Sequence, residues 1–178
     1  MIETDRLILR QPVPADAQTI AVGIGNWAVV RWLSAVPYPY TEQDALDWIA
    51  SKEGGMDGAA SLVVERKSEP GIIGGLGLSV RDESAGDPEI GYWFAEPFWG
   101  QGFASEAATA LRDYGFIEMG YDRMVSGAHP DNTGSLHVLR KLGFENEQSG
   151  RRFFVSHDKE LDIVHLDLTR ERWQSRLG

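Results

Sequence analysis

Three short patterns in this chain combine residues that could do chemistry. The first is Trp99-Gly100-Gln101-Gly102-Phe103-Ala104, between a run of strand formers and a run of helix formers. Glycines there lack the Cβ that would keep a ligand away from the backbone. A helix start also offers unpaired N–H groups at the positive end of its dipole, so the turn is a natural cradle for phosphate. The second pattern is Glu89, which alternates with Gly91 and Trp93 and shares one face of an extended segment with them. In a partly buried setting that favours proton uptake, a carboxylate there could draw a proton from an amine through water. It reads equally well as a surface charge at the entry to a strand. The third pattern is Asn132 and Ser135 at i and i+3, with Leu139 at i+7 and Val138 and Leu142 completing one helical stripe. Asn132 is also a natural helix cap and Ser135 a small packing residue. His129, just before Pro130, is a candidate base or substrate contact, or an ordinary loop histidine.

These residues need a strand, a long helix and a second helix to hold them. Ile90 to Phe94 is aromatic and β-branched, which suits a pleated strand, and Pro97 stops the ladder. From Phe103, the residues Ala104, Ala107, Ala108 and Leu111 recur at helical spacing, and the helix is expected to end near Gly120. Arg123 to Ala128 reads as the next strand, and a helix then runs through Leu142 to a glycine stop at Gly143.

Upstream, Leu7 to Gln11 is a strand. A helix follows from Pro14 and Asp16 with Ala17, Ile20, Ala21 and Ile24 inward. Trp27 to Leu33 adds a short helix, Val36 to Tyr40 is a proline-rich loop, and Thr41-x-x-Asp44 caps a helix carrying Ala45, Trp48 and Ile49. Lys52 to Gly58 is a link. Ser61 to Lys67 and Ile72 to Arg81 form a hairpin around Ser68 to Gly71, and Asp82 to Pro88 turns into the central strand. Downstream, Phe144 through Val155 and Leu161 to Leu168 are strands, and the tail around Trp173 is polar. The whole reads as one mixed α/β domain over 1–178, with about seven strands in a twisted, mostly antiparallel sheet flanked by helices.

Composition narrows the function classes. With 42% hydrophobic and 25% charged residues, the 178-residue chain is an ordinary globular protein. A net charge of −10 argues against a general nucleic-acid binder and suits a cationic substrate, as well as simple solubility. With no cysteine there is no thiolate nucleophile and no Cys-based zinc site. His137, His157 and His165 lack metal-ligand spacing, so no metal is expected. The start Met-Ile-Glu-Thr-Asp-Arg is too charged for a signal peptide and no apolar run reaches membrane-spanning length. A cytoplasmic protein of bacterial type, with no membrane and no nucleic acid as partner, is the expectation.

Two glycine patterns invite a dinucleotide reading, and neither sustains it. Gly23-Ile24-Gly25-Asn26-Trp27-Ala28 follows a helix rather than a strand. Gly100-x-Gly102 has Ser105 at the third glycine position, and Asp122 opens the next strand, where a ribose-binding acid belongs at its end. The hairpins before this unit also break the βαβ alternation of that fold, which disfavours a nicotinamide oxidoreductase.

Taken in order, the motifs resemble the GNAT superfamily of acyl-CoA-dependent N-acetyltransferases, and within it the branch of ribosomal-protein N-terminal acetyltransferases. Glu3-Thr4-Asp5-Arg6-Leu7-Ile8-Leu9-Arg10 is similar to that branch's opening, and Glu89-Ile90-Gly91-Tyr92-Trp93 to its fourth strand. Trp99 to Ala107 resembles its pyrophosphate loop, and Asn132 through Phe144 its Asn-x-x-Ser…Lys-x-Gly-Phe segment. The resemblance implies acetyl-CoA as donor, lying in a cleft between the fourth and fifth strands. Its pyrophosphate would sit on the loop Trp99, Gly100, Gln101, Gly102, Phe103 and Ala104, and its pantetheine along backbone N–H groups near Trp93 or Phe94 and on Asn132. Ser135 would lie near the sulfur, and Tyr38 and Tyr40 on the acceptor side; with the residue patterns above, this makes Glu89 and Ser135 the candidate catalytic residues and His129 a further candidate acceptor contact. Trp27 and Trp32 fall on that side too, as wall or core. The acceptor is a primary amine, on a peptide N-terminus or a small molecule, and a homodimer is left open. Two departures stand out. Trp99 replaces the Gln or Arg common at the start of the loop, and Leu139 replaces a Tyr general acid. An apolar residue cannot protonate a thiolate, so either another donor or solvent acts, or the chain binds CoA without turnover.

Overall fold

Alternation along the strands decides the architecture. In Ala60–Arg66, Leu62 and Val64 enter one buried cluster while Val63 enters another. In Pro88–Phe94, Ile90 and Phe94 face the first cluster and Trp93 packs against the second. A strand with apolar residues at successive positions is covered on both faces, so helices must lie on each side. The computed structural model describes residues 1–52, 60–80 and 86–177 and has this layering. Expected features at Lys52–Gly58, Arg81 and Asp82–Pro88 lie largely outside those residues.

The strands are β1 (Ile2–Glu3), β2 (Leu7–Arg10), β3 (Ala60–Arg66), β4 (Glu69–Val80), β5 (Pro88–Phe94), β6 (Arg123–Ala128), β7 (Glu145–Phe154) and β8 (Lys159–Thr169). They form one sheet in the order β1-β2-β3-β4-β5-β6-β8-β7. Every pairing is antiparallel except β5 with β6. Among the described residues the sheet has eight strands, in keeping with the about seven expected, the additional one being the short edge pair that Ile2 and Glu3 make with β2. The strand expected to be fourth is therefore β5, and the fifth is β6.

Helices α1 (Ala17–Ile24), α2 (Trp27–Val30) and α3 (Glu42–Ala50) belong to one side. There Ala17, Ile20, Ile24, Val30, Ala45 and Ile49 pack on Val63 and Ile72. Helices α4 (Phe103–Ile117), α5 (Thr133–Leu142) and α6 (Arg170–Ser175) belong to the other. Ala107, Ala108, Leu111 and Phe116 of α4, Leu136, Leu139 and Leu142 of α5, and Trp173 of α6 share a core with β2 to β6 and β8. Helix α6 departs from the expected polar tail. Trp173 is buried, its ring stacks on Phe116 at 5.0 Å, and its indole N–H donates to Asp113 at 2.7 Å. A single large aromatic buried this way, with its polar end satisfied, anchors a helix too short to stand alone.

Candidate active site

The one parallel pairing in the sheet opens a gap. β5 and β6 share a single register pair, Glu89 with Val125, although β5 stays paired to β4 as far as Phe94 and β6 to β8 as far as Ala128. At the vertex, the buried Ser126 hydroxyl donates to Ile90 O at 2.8 Å, and beyond it the strands diverge. Ala95 N–H donates across to Ile73 O on the β4 side. Because backbone groups alternate along a strand, Trp93 faces β4, while Tyr92 and Phe94 turn their N–H groups to the gap. Of the two strand amides singled out from the sequence, Phe94 is thus the one that faces the gap, and Tyr92 joins it. The Trp93 ring is committed elsewhere: a Cβ on Gly23 of α1 or on Gly75 of β4 would fall 2.7 Å from it.

Just past β5, the glycine turn leads into α4. Gly100 and Gly102 have φ of 71° and 82°, left-handed values that a side chain resists. Gly102 is the N-cap of α4 and no side chain bonds to the helix start, so the first amides of a fifteen-residue helix point outward uncapped. Trp99 explains its own presence: its indole N–H donates to Phe94 O at 2.6 Å and pins the turn to the end of β5. Gln101 donates to Pro97 O at 2.8 Å. Phe103 is buried and Ala104 packs on the core, so both offer backbone rather than side chain.

A brace missed in the sequence holds the turn from outside. Glu106, in the first turn of α4, accepts from Thr4 Oγ1 at 2.6 Å, Arg6 N at 2.9 Å and Arg6 Nε at 2.6 Å. Arg6 also donates to Gln101 O at 3.1 Å and lies over the Phe103 ring at 4.5 Å. Burial pushes the Glu106 carboxyl up, but the bonds from Thr4 and Arg6 outweigh it and hold the group below its ordinary value. The Thr4-x-Arg6 opening therefore positions the turn.

Across the gap, α5 carries the polar stripe. Asn132 is the N-cap, its Oδ1 accepting from Ser135 N at 3.2 Å. Leu139 is fully buried in the core and offers no donor. The Ser135 hydroxyl lies 3.0 Å from the phenol of Tyr92, which also donates to Ser135 O at 3.2 Å. Burial pushes the Tyr92 phenol up to about 12, against the lowering effect of its bond with Ser135.

Glu89 sits on the opposite face of β5 from Tyr92, so the structure does not bring it together with Ser135. It is buried and forms a bidentate ion pair with Arg152 of β7, at 2.8 Å for each N–H. To take a proton from an amine directly, it would have to leave this pair. Beside it, the face of β5 is open at Gly91, where an added Cβ would meet nothing within 4 Å.

The residues expected on an acceptor side divide into two groups. Tyr38 is half exposed and meets Trp27 edge-on at 5.0 Å, and Trp27 also faces His157 at 5.0 Å. The β7–β8 tip is tied to α2 and the loop after it through Val155 N–H to Ser34 O at 2.9 Å and His157 Nε2 to Arg31 O at 3.0 Å. Tyr40 instead packs into the α1–α3 core, where burial and the nearby Asp44 charge raise its phenol to about 12. His129 closes the end of β6 with its ring 5.5 Å from Trp32. Its Nδ1 accepts from Asp131 N–H at 3.1 Å, which leaves Nε2 as the N–H side of the neutral ring. His129 can thus donate to a ligand, but its acceptor nitrogen is already engaged. Among the described residues, no group of His, Asp and Glu could hold a metal ion, and no helix is long and apolar enough to cross a membrane.

A splayed parallel pair beside an uncapped glycine turn is a specific arrangement, and comparison with known proteins decides its family. The family model of the acetyltransferase (GNAT) domain matches residues 6–145. The chain belongs to the GNAT family. An uncharacterized N-acetyltransferase, p20, of Bacillus licheniformis is 30% identical over 96% of this chain and 96% of its own. The ribosomal-protein-S5-alanine acetyltransferase of Vibrio fischeri shares the fold with a TM-score of 0.80, at 21% identity over 96% of this chain and 97% of that one. Mycobacterium smegmatis RimJ, solved in complex with CoA-disulfide, has a TM-score of 0.78 at 21% identity, over 93% of this chain and 82% of that one. This GNAT chain is an acyl-CoA-dependent acetyltransferase, and the family's co-substrate is acetyl-CoA.

Proposed function

We propose that this GNAT enzyme moves the acetyl group of acetyl-CoA to a primary amine by direct attack in the β5–β6 gap. Acetyl-CoA supplies the activated acyl group and a thiolate as leaving group. The observation that carries the reading is the alignment of three donor sets around one gap. These are the uncapped amides at Gly102–Ala104, the Tyr92 and Phe94 N–H groups on the β5 edge, and the Ser135 hydroxyl on α5. The left-handed glycines leave room for a pyrophosphate at a helix start, where the dipole favours anions. Edge N–H groups on β5 suit a pantetheine and can stabilise negative charge developing on the thioester oxygen. Ser135 hydrogen-bonds to the sulfur as charge grows there.

On the opposite face, the open floor at Gly91 and the aromatic wall of Trp27, Tyr38 and His157 receive the acceptor. Glu89 acts as a fixed charge that orients Arg152 beneath that floor, and the amine proton leaves through water. His129 offers Nε2–H as a substrate contact. Within this scheme the acceptor is a peptide N-terminus or a small amine, both small enough at the reacting nitrogen to reach past Gly91. Thiol release from acetyl-CoA, measured against N-terminal peptides, polyamines, amino acids and amine-bearing drugs, tests the reading. Amine-dependent release with an acetylated product is expected. CoA binding without turnover on any class of amine would return the chain to a binding module.

A further inference from the structure

The proton for the leaving sulfur needs a source, and the α5 position expected to hold a Tyr holds the buried Leu139. A phenol nevertheless reaches the same helix from another element. Tyr92, on β5, has its hydroxyl 3.0 Å from Ser135 Oγ and 3.2 Å from Ser135 O. We propose that Tyr92 is the positioning residue that turns the Ser135 hydroxyl toward the departing sulfur and restores its proton. The proposal rests on the reading of Ser135 given above.

The atoms balance with water as the only co-reactant. As the thioester C–S bond breaks, its electron pair leaves on sulfur and takes the Ser135 proton. The Tyr92 O–H proton passes to Ser135 Oγ, and water returns a proton to the phenol. The proton lost by the amine goes to solvent, so one proton leaves and one enters. A phenol has a single proton and two sites that can accept one. In the resting state it satisfies the Ser135 carbonyl, which can only accept, or shares its proton with the Ser135 hydroxyl. Once Ser135 begins to give up its own proton, its oxygen becomes the stronger acceptor and draws the phenol over. Burial, by raising the Tyr92 phenol to about 12, keeps that proton in place across the neutral range. Position 92 also solves a spatial problem. The Tyr92 N–H faces the gap from the strand edge, while its side chain crosses to α5, so one residue spans the route from the carbonyl end of the ligand to its sulfur.

Tyr92→Phe keeps the ring and removes the O–H. Its kcat should fall about tenfold or more, toward the range of acid–base groups, while the KM for acetyl-CoA stays within about twofold. In a Ser135→Ala background, the second change should cost nothing further, since residues acting in series are not additive. A binding readout separates this from packing: CoA and desulfo-CoA are titrated calorimetrically over a pH series that rises through and above the ordinary thiol range of about 8.5, so that the thiolate form is sampled. The natural enzyme should favour CoA, and both Tyr92→Phe and Ser135→Ala should shrink that preference. Losses that multiply in the double variant, or a preference untouched by Tyr92→Phe, would overturn the proposal. A slow Ser135→Ala beside a normal Tyr92→Phe would remove Tyr92 alone. An unchanged kcat in Ser135→Ala would remove the reading of Ser135 on which it rests.

Discussion

Placing a carboxylate at Gly102 is the sharpest perturbation of the proposed phosphate cradle, because its effects on folding and on binding can be worked out separately. Gly102 has φ of 82°, and a non-glycine residue in that region costs about 1–2 kcal/mol. It is also the N-cap of α4, but in a left-handed rather than an extended conformation, so an Asp there gains no ordinary capping bond to offset the strain. The nearest atom to an added Cβ is the tip of Arg6, at 3.4 Å, and a flexible side chain can give way. Gly102→Asp should therefore lose no more than about 2 kcal/mol of stability. For binding, a carboxylate about 4 Å from a phosphate charge at an effective dielectric of 20 is repelled by about 4 kcal/mol. That repulsion corresponds to a roughly thousandfold weaker Kd for CoA. Gly102→Ala carries the backbone strain without the charge, so it should lie much closer to the natural protein in affinity. Urea melts and calorimetric CoA titrations of the three proteins read the two effects independently. Equal CoA affinity for Gly102→Asp and Gly102→Ala would refute a phosphate at this helix start.

Three further outcomes follow from the geometry. Glu89→Gln removes the charge facing Arg152 in a buried pair. It should cost about 3 kcal/mol or more in a denaturant melt, and Glu89→Gln with Arg152→Gln should recover much of it, whereas an unchanged melt would make the pair incidental. Gly91→Val adds a side chain where an added Cβ meets open space. It should leave stability and CoA affinity intact while raising the acceptor KM, and an unaltered KM would move the acceptor off this floor. The carboxyls of Asp16 and Glu106 both lie below their ordinary values: burial acts upward in each, and bonds from Arg10 and Val13, or from Thr4 and Arg6, outweigh it. Their folded-state values are depressed, so the stability they add is present above the unfolded carboxylate range near 4 and is lost as pH falls through the folded values. Acid melts should show that loss reduced in Asp16→Asn, and an identical acid limb would contradict it.

What the sequence revealed was local. The strand through Phe94, the left-handed turn at Gly100 and Gly102 and the periodic face of α4 follow from residue types a few positions apart. So does the α5 stripe, with Asn132 capping and Leu139 inward. What it concealed joins distant segments. Arg6 reaches Glu106, Glu89 reaches Arg152 and Tyr92 reaches Ser135 only because the fold brings together residues 100, 63 and 43 positions apart in the chain. No short-range pattern marks such a pair, although Arg6 and Tyr92 both lie inside motifs already singled out. Trp173 was hidden for a related reason. A six-residue helix with one large apolar side chain has no periodicity, and its order comes from stacking on Phe116. The direction of the β5 amides was likewise out of reach, since it depends on which neighbour each residue pairs with.

The central claim, that acetyl transfer happens in the gap between β5 and β6, is tested most directly by a crystal structure with CoA bound. The pyrophosphate is expected on the amides of Gly102 to Ala104. The sulfur is expected within about 3.5 Å of Ser135 Oγ, and the pantetheine bonded to the Tyr92 or Phe94 N–H at about 2.9 Å. CoA seated away from the gap, or with its sulfur turned from Ser135 toward solvent, would contradict it.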